Sequence, residues 1–517
     1  MRVFTKIAAL RHYLERGRKD EQTVGLLPTM GALHEGHLTL IERAIEENDI
    51  VVVSIFVNPM QFGPREDFHK YPRRLEEDAE LCEEAGVAVV FAPTPEEMGM
   101  TPKGADLGND LTAVVPPKSM TAVMCGRTRI GHFEGVATIV TKLLNVVQPD
   151  RAYFGQKDAQ QLAIIQRLVT DLNMPVQIVP CATVRLESGL AMSSRNQYLS
   201  AADLQEAAQL SESLRRGKEV FQGGDRTAQG IITAVSAKLK ETSALSVEYV
   251  ELVHPVTLAP LTEIKEVGLL GVAAKIGSTR LIDNMILRHR APIVAIDGPA
   301  GAGKSTVSRQ VAHQLGLLYL DTGAMYRAVT WLVLDAEIPL DDEAAIAELI
   351  SGVEILLKTS EEPLAPAQVW IAGQEVTQAI RTPEVTAKVS AIASLSEVRS
   401  ALVAQQQSYG IRGGLVAEGR DIGTHVFPDA DLKIFLTASV QERARRRYKD
   451  LAAMGLGEIS LNQIEQDILE RDAIDSNRAI SPLRQAEDAI EIITDGLSIA
   501  EAIDGIVKLY HDKLGNF

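Results

Sequence analysis

Short apolar runs alternate along this chain with longer stretches whose apolar positions recur at i, i+3 and i+4. That alternation of strand and helix builds α/β folds. Residues Met1 to Glu21 have the amphipathic spacing of a helix. Thr23 to Pro28 is an apolar strand; a helix follows over Leu38 to Glu47, with Leu38, Ile41 and Ile45 on one face, and then a strand over Ile50 to Phe56. From about Leu199 to Ile286 the pattern changes. Helices over Ala201 to Phe221 and Thr227 to Glu241 precede strand-like runs over Ser246 to Val253 and Val267 to Ile276. A short basic joint, Leu287 to Pro292, leads into a new apolar run, Ile293 to Ile296, and a helix over Thr306 to Leu315. A β-rich insertion with alternating apolar positions spans Val353 to about Val376. The restart predicts two domains, 1–288 (about 1–185 and a smaller subdomain, about 186–288) and 289–517. Both should be α/β with mainly parallel sheets, their sites at the carboxyl ends of strands.

Between that second strand and its helix the sequence reads G-x-x-x-x-G-K-[ST], with Gly298, Pro299, Ala300, Gly301, Ala302, Gly303, Lys304, Ser305 and Thr306 in order. Strand, glycine-rich loop and helix form a phosphate-binding loop. Its N–H groups cradle a β-phosphate, Lys304 pairs with β/γ oxygens, and Ser305 reaches magnesium. The first half offers a different nucleotide signal. His34 and His37 lie three apart at the start of a helix, so both project from one side of its first turn, and Gly36 leaves room for close backbone approach. Imidazoles among unpaired helix N–H groups suit a polyphosphate. The same spacing also fits an ordinary pair of surface histidines.

Charge narrows the partners. Lys and Arg number 52 against 69 Asp and Glu, a net −17, which argues against a nucleic-acid surface. Cys82, Cys125 and Cys181 form neither a metal pattern nor a disulfide framework, and buried, idle thiols are expected. No run reaches the ~18 apolar residues of a membrane span, and the N-terminus lacks the features of a signal peptide. The expectation is a soluble cytoplasmic protein acting on small molecules, with no membrane or nucleic-acid partner.

The words around the histidines, PTMGALHEGH, are a form of the HxGH signature of nucleotidyltransferases, and the first half closely resembles pantothenate synthetase (pantoate–β-alanine ligase). The likeness runs through Val57-Asn58-Pro59-Met60-Gln61-Phe62-Gly63, Gly131 to Val136, Pro149 to Gln161 and Met192 to Asn196. This resemblance implies attack of pantoate's carboxylate on ATP, giving pantoyl-adenylate and pyrophosphate, and displacement of AMP by β-alanine. It implies an ATP site of Met30, Gly31, Ala32, Leu33, His34, Glu35, Gly36, His37, Gly155, Gln156, Lys157, Asp158, Val184, Met192, Ser193, Ser194 and Arg195. Within it His34, His37, Lys157, Ser193, Ser194 and Arg195 are the donors for the charge gathering on phosphorus. Gln61 and Gln161 match pantoate-binding glutamines; Asn58 supports Gln61 or the diphosphate, or simply forms a turn. Magnesium bridges the phosphates, and a homodimer through the first half is expected.

The second half closely resembles bacterial-type cytidylate kinase. The likeness is carried by Asp321 to Arg327, Ser390, Arg399, Leu415 to Thr424 and the RDxxDxxR segment, Arg471 to Arg478. It implies ATP- and magnesium-dependent phosphorylation of CMP and dCMP. Arg327, Arg420 and Arg478 would clamp the acceptor phosphate, Asp475 with Arg471 the ribose, and Ser390, Arg399 and Asp421 the base. Four arginines within Arg443 to Arg447 read as a lid or as a solvated helix face. No Asn-Lys-x-Asp motif supports a GTPase. Three other readings stay open: a kinase with a non-catalytic N-terminal module, a nucleotidyltransferase that leaves the nucleotide on its product, and a P-loop switch.

Overall fold

The computed structural model describes residues 1–63, 66, 68–100, 111–358, 367–453, 460–477 and 481–514, without the side chains of 450, 451, 453 and 477. The chain divides into two compact units, Met1–His289 and Arg290–Phe517.

The first unit is built on a six-stranded parallel sheet in the order Arg2–Phe4, Val89–Phe91, Ile50–Ile55, Val24–Thr29, Arg151–Gly155, Gln177–Cys181. Its central strands are apolar on both faces because both are covered. Leu26 and Val52 enter one core with Phe91, Val140 and Phe154; Leu27, Val51 and Val53 enter the other with Ile41 and Val179. Each fully buried Leu or Val contributes roughly 1.5–3 kcal/mol. Behind this sheet the smaller subdomain lays the helices Gln209–Gln222 and Ala228–Leu239 over an antiparallel sheet of Leu245–Val253, Val267–Ile276 and Thr279–Arg288.

Three local readings are corrected. Arg2–Phe4 is a strand, paired in register with Val89–Phe91, and the helix begins only at Ile7. The helix expected over Ala201 to Phe221 is two, Ala201–Ala207 and Gln209–Gln222, meeting at Ala208. The third antiparallel strand, Thr279–Arg288, covers residues read as the domain's end and joint. Its alternation is disguised because a buried position is filled by Asp283, a charged residue.

The second unit is a five-stranded parallel sheet, Leu318–Asp321, Leu415–Glu418, Ile293–Asp297, Leu432–Thr437 and Ile490–Ile493, with Ile293–Asp297 central. Ile293 and Ala295 face one core, Val294 and Ile296 the other. The insertion is antiparallel, with strands Ile355–Lys358, Gln368–Ile371 and Gln374–Glu375. No described helix is long and apolar enough to cross a membrane.

Candidate active sites

In the first sheet the chain builds Ile50–Ile55 on one side of Val24–Thr29 and Arg151–Gly155 on the other, so strand order reverses there and the loops part. Such a switch point opens a crevice at the strands' carboxyl ends. Met30 to His37 leave the strand Val24–Thr29 into that crevice. The helix Glu35–Glu47 starts one residue after His34, its N-cap, whose Nδ1 accepts the N–H of Gly36 at 3.1 Å. That bond leaves Nε2 as the protonated nitrogen of a neutral ring. A Cβ on Gly36 would lie 3.0 Å from the His34 ring, so the glycine makes room for the imidazole itself. His37 stacks against His34 with ring centres 4.1 Å apart, and its buried Nδ1 has no hydrogen-bond partner. Burial, with Lys157 nearby, lowers His34 from its ordinary 6.5 to about 4; burial, with His34 and Lys157, lowers His37 to about 3. Both rings are neutral donors at neutral pH.

The other expected residues are held by contacts of their own. Ser194 Oγ donates to the Ala32 carbonyl at 3.1 Å, joining loops 162 residues apart. Ser193 caps the short turn that follows by accepting from Arg195 N–H, and the Arg195 guanidinium lies 6.0 Å from the Tyr71 ring centre. Val184 enters through its backbone, accepting from Met192 N–H at 2.9 Å. Gly155 to Asp158 turn out of the neighbouring strand, with Lys157 Nζ 4.0 Å from Asp158. Gln61 Nε2 reaches Met30 Sδ at 2.8 Å, and Gln61 Oε1 accepts from Asn58 Nδ2 at 3.1 Å. Asn58 also accepts Met60 N–H through its Oδ1, as a turn former does, and its amide also reaches the Gly135 carbonyl. Gln161 lines a cavity of about 40 Å³ with Lys157, Asp158, Asp283 and Asn284. Gln160, beside it in sequence, is spent on structure, bonded to Met120, Val123 and Cys125.

Several supporting residues escaped the sequence reading. Asp78 is 2% exposed and accepts the N–H groups of Ala32 and Leu33 at 2.9 and 2.7 Å, holding the loop before the histidines. Arg129 pairs with Glu66 and donates to His132 Nε2 at 2.9 Å, while His132 Nδ1 donates to the Gln61 carbonyl at 2.7 Å. Burial and Arg129 lower His132 to about 3. His132 belongs to a motif already singled out, and Arg129 stands three residues before it. Asp78 carries no such local mark. All three cysteines are buried and free.

In the second unit the phosphate loop joins the central strand Ile293–Asp297 to the helix Lys304–Leu315. Gly298 has φ 145°, and a Cβ there would sit 2.0 Å from the Leu436 carbonyl, so only glycine fits. Lys304 is 5% exposed and donates to the carbonyls of Gly298 and Pro299 at 2.7 and 2.8 Å. Burial, then the nearby Arg420 charge, lower its ammonium to about 7. Ser305 Oγ donates to Glu418 Oε1 at 2.5 Å, and Tyr319 donates to the other oxygen at 2.9 Å. Asp297, the residue before the loop, accepts the N–H groups of Ile422 and Gly423 at 2.8 and 2.7 Å.

The arginine run is divided. Arg443 is buried, paired with Asp472 at 2.6 Å, and donates to the Ala300 carbonyl; Arg446 reaches the Ala302 carbonyl and Thr494. These two brace the phosphate loop from behind. Arg445 and Arg447 are exposed. Arg327 pairs with Asp321 at 3.2 Å, Arg420 with Asp475 at 2.9 Å, and Arg399 with Asp421. Ser390 is half-buried on the helix Pro383–Ile392. Burial, and repulsion from Arg420, Arg447 and Arg327, depress Arg471, which places these four guanidiniums in one field. The buried Nε–H groups of Arg327 and Arg471 have no hydrogen-bond partner. Arg478 lies outside the described residues.

Residues 2–286 match the family model for pantoate-beta-alanine ligase, and residues 294–512 that for cytidylate kinase. The chain is 58% identical to a bifunctional pantoate ligase/cytidylate kinase of Trichormus variabilis, covering 100% of both. It is 56% identical to that of Synechocystis sp., covering 99% of each. The crystal structure of pantothenate synthetase from Thermus thermophilus is 46% identical with a TM-score of 0.51, over 55% of this chain and 99% of that one. The chain belongs to the family of bifunctional pantoate ligase/cytidylate kinases.

Proposed function

We propose that residues 1–288 condense (R)-pantoate with β-alanine through a pantoyl-adenylate, and that residues 289–517 phosphorylate CMP and dCMP. Both activities use ATP. In the ligase, a pantoate carboxylate oxygen attacks the α-phosphorus and pyrophosphate leaves with the bonding electrons. The β-alanine amine then attacks the acyl carbon, AMP departs, and the nitrogen loses a proton. His34, His37, Lys157, Ser193, Ser194 and Arg195 donate to the phosphate oxygens as charge gathers there. Gln61 and Gln161 orient pantoate, neutral amides that add no charge beside its carboxylate. Asn58 holds Gln61. The observation that carries this reading is the bond from Ser194 to Ala32, which brings the two nucleotide loops together.

In the kinase, Lys304 turns from the loop carbonyls to β/γ oxygens as their charge restores its own. Arg327, Arg420 and Arg478 hold the acceptor phosphate, Asp475 and Arg471 the ribose, and Ser390, Arg399 and Asp421 the base. Arg420 and Asp475, already paired, would share the nucleotide between phosphate and sugar. Magnesium fits the Ser305 hydroxyl and the Glu418 carboxylate, hard oxygen donors beside the loop. Among the described residues no cluster of three His, Cys, Asp or Glu side chains could hold a metal. In the ligase the ion would be held with the ATP phosphates. When bound it neutralises charge on the phosphates. A homodimer through the first unit and a cytoplasmic location complete the reading.

Release of AMP that depends on β-alanine tests the ligase. Pyrophosphate without AMP would mean that the nucleotide stays on the product. ATP turnover that depends strictly on CMP tests the kinase, and turnover without an acceptor would favour a switch.

A further inference from the structure

Asn284 belongs to the last strand of the smaller subdomain, yet its side chain reaches the turn that carries Lys157. Its Nδ2 donates to two successive backbone carbonyls, Gln156 at 3.0 Å and Lys157 at 2.9 Å. Two bonds from one planar amide fix the turn's orientation as well as its distance. The preceding residue reaches the hairpin that leads into the other nucleotide loop. Asp283, with its side chain 1% exposed, takes both terminal nitrogens of Arg185 at 2.7 and 2.9 Å, and its Oδ1 also accepts the Asn284 N–H at 2.8 Å. Arg185 in turn donates to Gly189, across the hairpin that leads into Met192 to Arg195. Stability alone does not account for this arrangement. Asp283 is buried while Arg185 is partly exposed, and taking a carboxylate out of water is often no more stabilising than a well-packed apolar residue of similar volume. What the polar pair adds is direction.

We propose that Asn284 is a positioning residue for Lys157 in the ligase reaction, and that Asp283, through Arg185, ties the same strand to the Met192–Arg195 loop. The smaller subdomain thereby sets the two nucleotide loops against each other. This rests on the reading of Lys157 given above.

The test is a double-mutant cycle on the full chain, measuring single-turnover pyrophosphate release from ATP and pantoate in K157A, N284D and K157A/N284D. N284D keeps the side chain's size and turns a donor into an acceptor facing two carbonyls. Misplacing Lys157 should slow adenylate formation by about 10- to 100-fold. In the K157A background the same substitution should change the rate less than about twofold, because residues acting as one unit are not additive. A general structural role would instead give additive losses, and that result overturns the inference. So does an N284D rate within about twofold of the unsubstituted chain. If thermal unfolding shows that N284D disrupts the first unit, N284L enters the same cycle with the same criteria. A K157A chain with undiminished turnover overturns the reading of Lys157 along with this inference. A slow K157A with an additive N284D overturns the inference alone.

Discussion

The guanidinium of Arg399 and the carboxylate of Asp421 form an ion pair inside the kinase unit, with side-chain exposures of 3% and 7%. They come from different elements, the helix Ser396–Gly410 and the loop after the strand Leu415–Glu418. The Arg399 guanidinium also lies 5.7 Å from the Tyr326 ring centre. If Asp421 reads the base as proposed, its carboxylate would accept from cytosine's exocyclic amine, whereas uracil presents an acceptor there.

Replacing Asp421 by Asn should therefore lower the ratio of kcat/KM for CMP over UMP by about tenfold or more, a cost of roughly 1–3 kcal/mol. Asp421→Ala should also unfold the kinase unit more readily, because a buried charge losing its partner costs about 3–5 kcal/mol. A ratio equal to that of the unsubstituted chain would remove Asp421 from base reading.

Asp297 accepts two N–H groups directly after Asp421, so it ties the loop after the strand Leu415–Glu418 to the phosphate loop. Asp297→Asn points an amide N–H at a backbone N–H. A lost buried acceptor costs about 1–3 kcal/mol, and CMP phosphorylation should fall roughly 5- to 100-fold. Pantothenate formation by the same molecules should be unchanged, and parallel loss of both activities would contradict this assignment.

Three histidines of the ligase unit, His34, His37 and His132, have folded values near 4, 3 and 3, all below the ordinary 6.5. Above pH 6.5 folded and unfolded chains both carry them neutral. As pH falls from 6.5 towards 3, the unfolded chain takes up protons that the folded one refuses, so stability falls with pH. The melting temperature of the first unit should drop across that window, and His132→Gln should flatten the slope. An unaltered slope in that variant would show that His132 titrates normally.

How much of this was legible varies from one element to the next. The phosphate loop and the HxGH loop could be read from sequence because a nucleotide loop is local: glycines and donors sit at fixed offsets within one strand–turn–helix. Arg443 shows the limit. Its place in a charged run reads as part of a lid, whereas its bonds to Asp472 and the Ala300 carbonyl are to partners that no local pattern names. Asp78 and Asn284 were missed for the same reason, since each bonds to backbone groups distant in sequence. Thr279–Arg288 was overlooked because Asp283 interrupts the apolar alternation of a strand. Arg2–Phe4 was misread because an edge pairing, not propensity, makes it a strand.

Arg443→Met keeps the length of the side chain and removes both its bond to the loop and the partner of Asp472. The KM for ATP in CMP phosphorylation should rise several-fold, with a loss of roughly 3–5 kcal/mol in the stability of that unit. If the KM is unmoved while CMP binding weakens, Arg443 belongs to a lid after all.

That one chain carries two working ATP sites can be tested most directly by phosphorus NMR of the purified protein with ATP and magnesium. With pantoate and β-alanine, AMP and pyrophosphate should form; with CMP, ADP and CDP. ADP and CDP alone would contradict it, leaving the first unit as a non-catalytic module attached to a kinase.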